Sequence, residues 1–379
     1  MRNFFFFLSI FILGNTISSF GQRDTVIIQE TSSVSEPVEP DCGCDTLWEK
    51  PDTKEFIELL EKSTSGHHPV WPGYSMEDGS YIIDAGQLKS GEHCFGLWQK
   101  GKLRAYACFD QTLRMLTPLY SYFLQYPGMD TIPSEPFFHT ADKAPAFKIW
   151  MENEGVSSAV YMPMDFSKLP FTIPTYVKVQ LATHEAFHIE VMMRYWFTKK
   201  GAWPSWDKQP DRPGVQVCYT YEDSARTQIQ KELGILADMV EALLDGKKDK
   251  ACLLGGLYLT AREARYQRLK NVTVKLADGV EGDCSQAESL MELEEGLADY
   301  ASWGILYNNG FVSKADLLKR YRAQQKDHFY LSGCMLMHAV VLMSGEDPNK
   351  TIQRIVKSSS LKDGSLLDVF SSAFEKYCK

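Results

Sequence analysis

The apolar positions of this chain change period part-way along it. Early on they come in short runs, at 81–85, 94–99 and 103–109, bounded by turn-forming residues and rich in aromatic and β-branched side chains. Lys100-Gly101-Lys102 parts the last two runs and predicts a hairpin. A further strand is expected at 159–162. Ahead of the strands, Thr53 to Lys62 sets Phe56, Leu59 and Leu60 on one side of a short helix. After Pro174 the period turns helical and stays so, predicting helices at 174–197, 222–244, 250–269, 285–307, 313–324, 330–343 and 366–377. A mixed N-terminal part followed by a helical C-terminal part is the pattern of an α+β fold.

The N-terminus reads differently. Arg2 is followed by an almost unbroken apolar run from Phe4 to Leu13, then by the small residues Ser19 and Gly21. The run is too short to span a bilayer, which takes roughly 20 apolar residues. It has the three parts of a secretory signal, cleaved before Gln22. Residues 22–45 are rich in Ser, Thr, Glu, Val and Pro without periodicity, and are expected to be a disordered leader. The expected domains are thus a signal at 1–21, the leader at 22–45, an N-terminal α/β part at 46–165 and a helical catalytic part at 166–379. Secretion or a periplasmic location follows, with no stable membrane insertion once the signal is removed. Nine cysteines suit an oxidising compartment, and the odd count leaves at least one without an intramolecular partner. Cys42 and Cys44 lack the second close pair that a structural zinc site wants, so a disulfide or no bond at all is the better expectation there. A net charge of -9 argues against nucleic acid as a partner.

The chemistry concentrates in His184-Glu185-Ala186-Phe187-His188. Pro174 suits the first turn of the helix that carries it. Val177, Leu181, His184, His188, Val191 and Tyr195 recur at helical spacing, so the two imidazoles stand one turn apart on one face and can share one metal ion. Glu185 sits about 100° around the helix from His184, where a base that deprotonates a water must stand. Zinc needs a third protein ligand and an open position. The helix at 285–307 supplies one, its start expected from a capping box of Ser285 and Glu288. Glu295 and Asp299, four residues apart, share a face. Glu295 is the expected ligand, and Asp299 the acceptor for the second N–H of a ligating histidine. Glu294 is the weaker choice, having no carboxylate four residues on, while Gly296 beside Glu295 leaves room for a close helix approach.

His-Glu-x-x-His followed far downstream by Glu295-Gly296-Leu297-Ala298-Asp299-Tyr300 resembles the gluzincin clan of metallopeptidases, which includes the thermolysin- and aminopeptidase-like enzymes. The resemblance covers two short segments. It implies a small N-terminal sheet, a zinc active-site helix, a helical lobe, and a substrate-bearing edge strand at 159–162. The glycine-rich motif of many aminopeptidases of the clan is not found before the zinc helix. Tyr330-Leu331-Ser332-Gly333 resembles the Tyr-x-x-Gly helix start of clan members. That nominates Tyr330 to stabilise the oxyanion, with His338 second. His328 is expected on the surface, and Arg262, Glu263, Arg265 and Arg268 on a solvated helix face.

These readings predict a hydrolase holding one Zn2+ through His184, His188 and Glu295, with Glu185 as general base and a peptide or protein as substrate. Two alternatives stand beside it. One is a zinc-containing binding or structural protein with little turnover, against which the intact Glu185 counts. The other is a hydrolase of non-peptide amides or esters.

Overall fold

The computed structural model describes residues 43–64, 70–72, 74, 79–109, 120–123, 138–140, 150–156, 158–164, 173–188, 190–191, 223–275, 281–323, 328–357 and 365–379. The expected signal and nearly all of the leader lie outside them. The fold is α+β. No helix among the described residues is long and apolar enough to cross a membrane.

The chain falls into two compact units. The first holds the helices α1 (Asp45–Trp48), α2 (Pro51–Thr64) and α3 (Thr175–Phe187), together with strands β1 (Ser80–Gln87), β2 (His93–Gln99), β3 (Lys102–Phe109), β4 (Tyr120–Phe123), β5 (Phe138–Thr140) and β6 (Ser158–Pro163). These strands form one mixed sheet in the order β3-β2-β1-β6-β4-β5. β1 and β2 are antiparallel, as are β2 and β3, whereas β1 and β6 run parallel. The hairpin forms as expected, with Gln99 opposite Lys102. Lys100 and Gly101 both take positive φ, 52° and 76°, the backbone that a two-residue turn needs to match strand twist. Seven residues of β1 in succession are buried, as befits a strand covered on both faces. One face carries Ile82, Phe95, Leu97, Ala105, Ala159 and Tyr161, packed with Met151 and Val156. The 159–162 strand pairs on one side with β1 and on the other with β4. It is therefore an interior strand and not the free edge that the clan resemblance implied.

A polar group is built into this sheet. Asp84 accepts from His93 Nδ1 at 3.0 Å, from Tyr161 Oη at 2.7 Å and from the Gly86 N–H at 3.0 Å. Hydrogen bonds from three directions make burial of that carboxylate tolerable. Cys44 and Cys94 form a disulfide that ties α1 to β2.

The second unit holds Val70–Pro72 and the chain from α4 onward: α4 (Asp223–Leu244), α5 (Lys248–Leu269), the small β7–β8 hairpin (Thr273–Lys275 and Glu281–Asp283), α6 (Cys284–Met291), a π-helical turn (Glu292–Gly296), α7 (Leu297–Asn308), α8 (Lys314–Tyr321), α9 (Phe329–Ser344), α10 (Pro348–Lys357) and α11 (Leu366–Cys378). α9 is apolar nearly all round and is buried from Phe329 to Val340 save at Tyr330 and His338, the mark of a central helix. Trp71 donates through Nε1 to Asn349 at 2.9 Å and meets Tyr300 edge to face. A second disulfide, Cys252–Cys378, joins α5 to α11. Cys108 and Cys284 are disulfide-bonded as well, whereas Cys334 is a buried free thiol.

The expected helix at 285–307 begins one residue earlier and is capped by Asp283 and Gln286, not by Ser285 and Glu288. Asp283 wins because its carboxylate accepts from the Gln286 N–H at 2.9 Å, while Gln286 returns a bond to the Asp283 N–H at 3.1 Å. The run passes through the π turn before resuming as α7. At that turn Gly296 lies backbone to backbone against Gly333 of α9. A Cβ on Gly296 would stand 2.5 Å from Gly333 Cα, and one on Gly333 would stand 2.8 Å from Gly296 Cα. Neither position has a flexible neighbour to give way. Gly333→Ala is therefore expected to lower stability by about 1–3 kcal/mol through overpacking. Urea unfolding followed by circular dichroism would reveal it, and an unchanged midpoint would mean that the helices part at little cost.

Candidate metal centre

α3 is buried almost all round from Lys178 to Phe187. The single expected apolar face is thus too narrow a description, since Lys178, Gln180 and Thr183 are enclosed too. Lys178 Nζ donates to the Met164 carbonyl at 3.3 Å, and Thr183 Oγ1 to the Gln180 carbonyl at 2.9 Å. The lysine bond ties the helix to the end of β6, and Phe187 packs edge to face on Tyr74.

On this helix His184 is buried, while His188 and Glu185 are half-buried. The imidazoles of His184 and His188 converge, Nε2 to Nε2, at 3.2 Å with their rings 77° apart. Helical spacing brings them side by side, as expected. Beyond Phe187 the chain leaves α geometry, and His188, Glu190 and Val191 carry π-type hydrogen bonding.

Of the two neighbouring acids in the π turn, Glu295 is buried and Glu294 half-buried. Asp299 is buried one turn on, where Arg320 Nη2 donates to its Oδ2 at 3.1 Å. Arg320 also lies over the Trp303 ring. Sequence spacing gave no sign of that arginine, because it arrives from α8. His184 and His188 each offer one ring nitrogen that a metal ion could take. Cys44, Cys94 and Cys108 also come together, but their sulfurs are committed to disulfides. Two nitrogens bound tetrahedrally at the usual zinc distance of about 2.0–2.1 Å stand about 3.3 Å apart. The spacing of the histidine pair fits that requirement.

Tyr330 is the second residue of α9, half-buried and stacked on Phe329. His338 lies between two tyrosines, its Nδ1 hydrogen-bonded with Tyr321 Oη at 2.9 Å and its ring meeting Tyr300 edge to face. Burial lowers its pKa to about 4, which keeps the ring neutral near pH 7.

The largest departure from expectation lies beside the π turn. Arg262 and Arg265 are fully enclosed rather than solvated, and His328 is buried rather than exposed. Arg265 grips Glu288 with both terminal nitrogens, at 2.7 and 2.8 Å, and Glu232 through Nε at 2.9 and 3.0 Å. Arg262 donates to Glu292 at 2.8 Å and to the hydroxyls of Tyr258 and Tyr266, each at 2.6 Å. His328 Nε2 lies 3.0 Å from Glu288, and Ser332 donates to Glu292. The signal was present as spacing: Tyr258, Arg262 and Tyr266 recur every four residues, as do Glu288 and Glu292. Each set belongs to a helix whose partner cannot be read from its own periodicity.

Two guanidinium groups and His328 hold the Glu288 carboxyl well below its ordinary value of 4.5, against the burial that opposes them. Glu232 moves the other way, because burial outweighs its one-sided contact with Arg265. No family model, curated protein or solved structure matches this chain.

Replacing Arg265 with Met strands two buried carboxylates, and should cost about 3–5 kcal/mol in denaturant unfolding. A loss under ~1 kcal/mol would show that the acids take up protons or water cheaply. The depressed Glu288 contributes stability that is complete above its unfolded pKa and lost as pH falls through the lower folded value. Stability should therefore decline below about pH 4.5, and Glu288→Gln should flatten part of that decline. Melting curves at stepped pH for both proteins provide the comparison.

Proposed function

We propose that this chain is an exported zinc-dependent hydrolase that cleaves peptide bonds, with His184, His188 and Glu295 as ligands and Glu185 as general base. The observation that carries the reading is the histidine pair: two imidazoles one turn apart on an enclosed helix, their Nε2 atoms 3.2 Å from each other. Two imidazole nitrogens held that close are readily bridged by one metal ion. A purely structural zinc site closes all four positions with protein ligands, whereas this set offers three and keeps a half-buried carboxylate next in sequence to the first.

When bound, zinc would supply the acidity that makes water a nucleophile near neutral pH and the polarisation of a substrate carbonyl. The rest falls to the chain. His184 and His188 fix the ion's place on the rigid α3 helix. Glu185, held by that helix and open enough to meet water, takes a proton from the attacking water and returns it to the leaving amine. Asp299 is proposed to orient a ligating histidine through its second N–H, with Arg320 donating to the same carboxylate. Tyr330 is proposed as the hydroxyl that meets the developing oxyanion.

Zinc content and peptide cleavage, measured for the mature chain and for Glu185→Gln, test the reading together. The wild type should carry one zinc per chain and cleave. The variant should keep its zinc and lose about 10²–10⁴ in turnover. If both hold zinc and neither cleaves a broad peptide library, the substrate is not a peptide or the site only binds. If neither holds zinc, the proposal is wrong at its root.

A further inference from the structure

Four acids of the α6–α7 run, Glu288, Glu292, Glu295 and Asp299, would share one stripe in an uninterrupted α-helix. At about 100° per residue they would fall within about 60° of one another. The structure sends them to different partners. Glu288 and Glu292 meet the arginines of α5. Asp299 meets Arg320 of α8. What separates them is the π turn at Glu292–Gly296, where hydrogen bonds span five residues instead of four. The additional residue in that turn rotates everything after it by roughly one α-helical step of 100° relative to everything before.

A π turn is less favourable than α geometry and persists only where neighbours hold it. Here the holding groups are identifiable. Glu292, the first residue of the turn, is buried and takes Arg262 on one oxygen and Ser332 on the other. Arg262 is itself anchored by Tyr258, Tyr266 and Glu288, so it has little freedom to follow a shifting carboxylate. At the far end of the turn, Gly296 is seated on Gly333. Ser332 and Gly333 are adjacent on α9, so one point on the central helix grips both ends of the turn.

We infer that Glu292, clamped by Arg262 and Ser332, is a positioning residue that holds the π turn and so aims Glu295. This rests on the reading of Glu295 as a zinc ligand. Releasing the clamp lets the run slip back toward α register, which swings the Glu295 carboxylate away from its direction in the π turn. The buried arginine network then has a role in metal binding without touching metal.

The test uses the full mature chain and its variants Ser332→Ala and Glu292→Gln, with Glu232→Gln as a change in the same network that leaves Glu292 untouched. Zinc affinity is read by competition with a chromophoric chelator, and ligand geometry by the visible absorption of the cobalt(II)-substituted protein. Circular dichroism identifies the variants that are folded, and Ser332→Ala removes only one hydrogen bond. Ser332→Ala and Glu292→Gln should each bind zinc about 10- to 100-fold more weakly. Their cobalt bands should move toward those of Glu295→Gln, while Glu232→Gln keeps the wild-type values. Wild-type affinity and spectrum in both clamp variants would overturn the inference and leave the zinc reading standing. A wild type that takes up neither metal would overturn both.

Discussion

Four helices of the helical unit, α4, α5, α6 and α9, meet around one bidentate ion pair, Arg265 on Glu288, and the charges that crowd it. Burying an arginine or a carboxylate alone is prohibitive, so each added charge must bring its own partner. Glu288 requires Arg265, which brings Glu232 from α4. Arg262 follows one turn earlier on α5, brings Glu292, and occupies Tyr258 and Tyr266. His328 and Ser332 close the set from α9. Four helices are thereby fixed in register by directional bonds, where apolar packing alone would tolerate sliding.

Much of this architecture was legible in the sequence, and the reasons for the exceptions are specific. Strands and long helices announced themselves through period, because burial of one face imposes it. The β2–β3 hairpin was readable because Lys100-Gly101 can take two positive φ angles. The 3.2 Å histidine pair followed from i, i+4 spacing on a helix. What periodicity could not reveal was partnership between distant elements. Arg262 and Arg265 look the same on a solvated face as in a core until Glu232, Glu288 and Glu292 come from elsewhere in the chain. The π turn was invisible for a related reason, since the same residues continue an α-helix in any local reading. Ser285 looked like a cap because Glu288 stood three residues on, yet Glu288 was wanted elsewhere.

The two units treat buried polarity in different ways. In the sheet unit, Asp84 satisfies itself with His93, Tyr161 and a backbone amide, a cluster that links β1 to β2 and β6. At the end of α3 the two histidines converge edge to face, and Glu185 beside them is only half enclosed. The first arrangement holds a strand in place. The second, under the proposed chemistry, leaves a base with access to water.

The seat of Gly296 on Gly333 carries a consequence for how such a protein changes over generations. Most helix contacts drift by exchanging one side chain for another of similar volume, so that a lineage can explore the distance between helices in small steps. Two backbones in direct touch have no side chain to exchange. Substitution at either glycine forces the helices apart, and substitution around them leaves the spacing where it was. Evolution can therefore remodel the periphery of this fold freely, but the relation between the π turn and the central helix is inherited whole or abandoned.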